Sequence, residues 1–121
     1  MSKIITAQPA YGNILGASAN GNIPGSPNAA AVVTFSAVTG KRHIITGVAW
    51  SYDATPTGGS IVVADNLLGT LLSLTITASG PGFIPFPLPV ASDVGAAVTI
   101  TLAAGGASVS GRVWALNHWT E

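Results

Sequence analysis

The side chains able to do acid–base or metal chemistry are few. His43 and His118 are the only imidazoles, and Asp53, Asp65, Asp93 and Glu121 are the only carboxylates. A zinc site draws three or four N, S or O ligands onto one point, and this chain has no Cys to supply a thiolate. One His from each of two distant segments is too few, so both imidazoles are expected as polar side chains at strand ends or on a sheet surface. Asp53, Asp65 and Asp93 each fall in or beside a turn, where a short carboxylate caps backbone N–H groups. Acids placed that way are not the facing pair that glycoside hydrolysis needs. No G-x-S-x-G elbow, P-loop or G-x-G-x-x-G string occurs. The sequence therefore points to no catalytic residue, no metal site and no cofactor.

The aromatic residues carry more information. Trp50 and Tyr52 share one face of a strand by the period of two and are expected in the core. Strict alternation over 107–119 sets Trp114 and Trp119 on opposite faces, so one of them must lie outside the core, exposed or at a contact. Tryptophan is enriched at protein interfaces, which makes both residues candidates for an interaction surface. The alternative use of an exposed aromatic is stacking on a sugar ring.

Short apolar, β-branched runs position these residues, separated by turn signals and too short for helices. About seven strands are expected, at roughly 30–38, 42–53, 60–64, 70–77, 83–90, 96–102 and 107–119. In the fifth, FIPFPLPV, Pro85, Pro87 and Pro89 remove alternate N–H groups, which confines the segment to a sheet edge. Its Phe83 and Phe86 are further candidates for a contact. Residues 1–28 are broken by Gly12, Gly16, Gly21 and Gly25 and by Pro9, Pro24 and Pro27. They read as an extended arm, with Lys3 to Gln8 able to add one more short strand beside an edge. The expected organisation is an arm over 1–28 and an antiparallel β-sandwich over 29–121, a jelly roll of seven to eight strands.

Composition narrows the function. Only 7% of residues are charged while 48% are hydrophobic, against about 25% charged in an ordinary soluble domain. A surface so poor in charge suits burial against other protein, and a net charge of zero offers little repulsion to association. Four scattered basic residues cannot neutralise a run of phosphates, which argues against nucleic acid. No stretch approaches the roughly 18 apolar residues of a membrane span, and the start lacks a secretory pattern. Synthesis in the cytoplasm as a soluble protein is the expectation.

Residues 40–52 (GKRHIITGVAWSY), 54–59 (ATPTGG) and 80–87 (GPGFIPFP) resemble small structural proteins of tailed bacteriophages, over about 40–121. The resemblance implies a jelly-roll decoration or cement protein that sits on an assembled capsid and clamps neighbouring capsomers. The partners it implies are the major capsid protein and further copies of the chain. A trimer would suit local three-fold positions and is favoured over a dimer. The implied location is the capsid surface of the virion. A fibre or host-attachment module that binds carbohydrate through exposed aromatics is the alternative.

Overall fold

The computed structural model describes residues 20–121, which form eight strands and no helix. They are β1 (Gly21–Asn22), β2 (Ala31–Phe35), β3 (His43–Tyr52), β4 (Gly59–Asp65), β5 (Gly69–Ile76), β6 (Gly80–Ala91), β7 (Val98–Leu102) and β8 (Gly111–Thr120). Two antiparallel sheets stack, one ordered β1-β8-β3-β6 and the other β2-β7-β4-β5. The pairs β1·β8, β2·β7, β3·β6 and β4·β5 are those of a single long hairpin centred on the β4–β5 turn. Rolling it up so that alternate pairs fall in opposite sheets, joined by β3·β8 and β4·β7, produces a jelly roll.

Alternation writes the core. Ala31, Val33 and Phe35 of β2, Ile61 and Val63 of β4, and Val98, Ile100 and Leu102 of β7 all face inward from one sheet. Ile45, Val48 and Tyr52 of β3 and Val113 and Ala115 of β8 meet them from the other. β6 pairs only with β3, so the proline-rich segment is an edge strand as its missing donors require. The Lys3–Gln8 strand lies outside the described residues. The strand beyond the expected seven is instead Gly21–Asn22, within the stretch read as an arm. Residues 20–28 are tied to the sandwich by Ala115 N–H to Asn20 O (2.8 Å) and Asn28 N–H to Val109 O (2.8 Å).

Strict alternation fails at one place in β8. Val113 and Ala115 are buried, yet His118 also turns inward, its ring stacked on Phe35 of the facing sheet at 3.7 Å between centroids. The inward set passes from odd to even numbers at Asn117, whose φ of 53° is left-handed, a conformation Asn tolerates better than most residues. Opposite it in β3 the inward set changes in the same way, from His43 and Ile45 to Val48 and Tyr52. Trp114 and Trp119 therefore lie on the same, outer face of the sheet, which corrects the expectation that they oppose one another.

Candidate functional site

On the outer face of the β1-β8-β3-β6 sheet the register lines up three rows. Trp114 stands opposite Ala49, and Ala49 opposite Phe83; Leu116, Gly47 and Pro85 form the next row, and Arg112, Ser51 and Pro81 the third. The central strand carries only small side chains here while its neighbours carry large ones, and the result is a trough. Its volume is about 680 Å³, and Ala49, Ser51, Pro81, Phe83, Trp114 and Leu116 line it together with Trp50 and Gly82. Trp114 and Phe83 stand two strands apart, about 10 Å at the usual strand spacing. No lining side chain is charged.

Two glycines seat the tryptophans. A Cβ on Gly21 would lie 2.1 Å from Trp114 Nε1, so the indole occupies the space that a β1 side chain would fill. On the other face, a Cβ on Gly82 would lie 2.6 Å from Trp50 Cζ2. Trp50 packs there against the core, as its place in the alternation of β3 predicts. Phe83 is 67% exposed, whereas Phe86, three residues on, turns to the inner side and packs against the core. Of the four aromatics singled out from the sequence, the fold thus brings Phe83 and Trp114 to one trough. Trp119 lies further along the same face, beside Ile44, and Phe86 is on the other side of its strand.

The two imidazoles lie at strand ends, His43 opening β3 and His118 near the end of β8, but they face inward and not out from a sheet surface. His43 is 3% exposed, and its Nδ1 lies 2.7 Å from His118 Nε2 while its Nε2 lies 2.7 Å from the Ser36 carbonyl oxygen. A carbonyl only accepts, so His43 Nε2 donates to it, His43 Nδ1 is left as an acceptor, and His118 Nε2–H donates in turn. Burial, with the neighbouring His43 adding to it, pushes the His118 pKa down to about 4. Sequence reasoning missed this pair because only the slip at Asn117 turns His118 inward.

The acids act as turn caps. Asp65, 4% exposed, accepts from Leu67 N–H (2.8 Å), from Leu68 N–H and, through its other oxygen, from Asp93 N–H (2.8 Å). Burial works to raise its pKa, but the N–H groups of Asp93, Leu68, Leu67 and Gly69 outweigh it and hold the carboxyl below the usual range. Asp53 accepts from Ser110 N–H and Asp93 from Val94 N–H, both at 2.8 Å. Among the described residues no three of His, Asp or Glu converge as metal ligands would, and no buried side-chain polar atom lacks a partner. The loop tips add exposed apolar side chains, Leu67, Leu68 and Val94, which sequence reasoning passed over as turn residues.

No protein-family model matches the chain, and no curated protein does. Among solved structures, a CBM4 module is 13% identical over 76% of this chain, with a TM-score of 0.42, and the chain spans 61% of its length. A chitosan-binding module from a Paenibacillus chitosanase/glucanase is 14% identical, covering 95% of this chain and 86% of its own, with a TM-score of 0.45. A virus-like particle of the Macrobrachium rosenbergii extra small virus is 18% identical, covering 83% and 74%, with a TM-score of 0.36. Likenesses this distant carry no argument about activity.

Proposed function

We propose that the chain is a non-catalytic structural protein of a bacteriophage particle that decorates the capsid and stabilises it, seating the trough face on the major capsid protein at capsomer junctions and associating with copies of itself. The observation that carries this reading is the uncharged trough on an open sheet face, with Phe83 standing out of it. An apolar, flat-floored surface gains from burial at roughly 25 cal/mol per Å². The chain's low charge leaves little desolvation to offset, and the resemblance of residues 40–59 and 80–87 to tailed-phage structural proteins supplies the partner. The test is cosedimentation with capsids: Phe83→Ala and Trp114→Ala should bind at least tenfold more weakly with their folds intact. Absence of the protein from purified particles by mass spectrometry would end this reading.

The seating of Trp114 over Gly21 favours one second reading, carbohydrate binding. The indole and Phe83 flank a floor of Ala49 at a separation that admits one ring, and exposed aromatics stack on sugars. A glycan array tests it: binding to a defined glycan that Trp114→Ala abolishes would support this reading, and no binding would count against it.

A further inference from the structure

Among the described residues the outer strands of the two sheets are β1, β6, β2 and β5, and the first three carry features that discourage strand addition. β1 is two residues long. β2 has its outward Val32 N–H bonded to Asn22 Oδ1 at 3.1 Å. β6 carries Pro81, Pro85, Pro87 and Pro89, and such residues deny donors to an incoming strand. β5, with the sequence GTLLSLTI, has eight residues and neither charge nor proline. It is the last strand of its sheet and pairs only with β4.

The ladder fixes which β5 groups point outward. Ala103 N–H donates to Ser60 O (2.9 Å), so Ser60 directs its main-chain groups toward β7. Alternation then turns those of Gly59, Ile61 and Val63 toward β5, where they face Ile76, Leu74 and Leu72. The N–H and C=O groups of Ser73 and Thr75 are left pointing away from the sheet, and both residues are exposed. The side chains on the inner face of β5, Leu72 and Leu74, are only half-buried, as are Trp50 and Phe86 on the facing sheet. The sandwich is thus open at its mouth between the β5 and β6 edges, and a strand added to β5 would close it with side chains of its own.

We propose that β5 is a self-pairing edge, which joins antiparallel to β5 of a second copy of this chain and fuses the two β2-β7-β4-β5 sheets into one of eight strands. Three features favour a second copy as the occupant. The strand is uncharged, so meeting itself brings no like-charge repulsion. Its inner face presents Leu72 and Leu74, which their own counterparts would cover across the ladder. An antiparallel strand pairing with itself also uses up both edges, so the contact is isologous and closes at two copies. This rests on the self-association part of the proposed function and replaces a three-fold arrangement with a two-fold one.

Sedimentation equilibrium of the whole chain at micromolar concentration should give twice the 12.0 kDa chain mass. Ser73→Pro removes an outward N–H that the β4 ladder does not use and should return the mass to that of a monomer, still cooperatively folded but with a melting temperature that no longer rises with protein concentration. Ser73→Ala, which keeps the N–H, should remain a dimer. Hydrogen exchange on the unmodified protein gives the same answer without a variant: the Ser73 and Thr75 amides should be protected when the protein is concentrated and exchange fast on dilution. A monomer at every concentration overturns self-association altogether. An oligomer in which the Ser73 and Thr75 amides exchange freely, or which survives Ser73→Pro, overturns only the β5 edge.

Discussion

Lowering the pH should weaken the fold through His118 before Asp65 responds. Its pKa is pushed down to about 4 in the fold, from about 6.5 in an unfolded chain. Between those values the unfolded chain takes up a proton that the folded one refuses, so stability is complete above pH 6.5 and declines as pH falls toward 4. The linkage relation gives a loss of about 2 kcal/mol between pH 7 and 5 for a fully desolvated ring. Screening at a half-buried ring reduces this to about 1 kcal/mol. Asp65 does not contribute there. Its carboxyl is held below the ordinary 3.8, so its stabilisation is present above that value and is lost only below it. Urea unfolding followed by tryptophan fluorescence at pH 7 and 5 measures the difference directly. In His118→Phe the stack on Phe35 survives but the donor to His43 Nδ1 is gone. That variant should lose about 1 kcal/mol at pH 7 and show a shallower decline toward pH 5. Equal stability at both pH values, or an undiminished decline in His118→Phe, would refute the account of the pair.

The remaining expectations test the core, the turn and the trough. Ile100→Ala, at a fully buried position of β7, should cost about 2–5 kcal/mol in a denaturant titration. Asp65→Asn leaves the Asp93 N–H facing an amide in place of a carboxylate oxygen; a loss of about 1–3 kcal/mol is expected, and a melting temperature equal to that of the unmodified protein would count against the cap. Tyr52→Phe removes the donor to Ala103 O at 2.6 Å and should cost about 1 kcal/mol by the same assay. Phe83→Ala should leave stability within about 0.5 kcal/mol, whereas Phe86→Ala should cost about 2 kcal/mol, part of the full-burial value; the reverse order would show that the two faces of β6 have been misassigned.

Much of the fold was legible because each strand of the jelly roll is half-buried and so writes its face into a period of two. Ala31, Val33 and Phe35 show this, as do Val98, Ile100 and Leu102. The prolines of β6 announced an edge because a missing N–H is a local fact. What escaped was non-local. A left-handed Asn117 leaves no mark in a pattern of apolar residues, and it alone decides which way His118 and Trp119 point. β1 is too short to have a pattern at all. The trough arises from the register of three strands, which sets Trp114, Ala49 and Phe83 in a row; no segment of the chain contains that information.

The rolled-hairpin topology has a consequence for the order in which the protein can be made. Each of β1 to β4 has its ladder partners among β5 to β8, so a nascent chain has no native strand pair until β5 leaves the ribosome. At about 5–20 residues per second, the apolar strands β2 and β3 spend several seconds without their native partners β7 and β6. Closure of β1 on β8 must wait for Val113 and Trp114. The yield of folded protein should therefore respond to the speed of translation as well as to the stability of the finished sandwich.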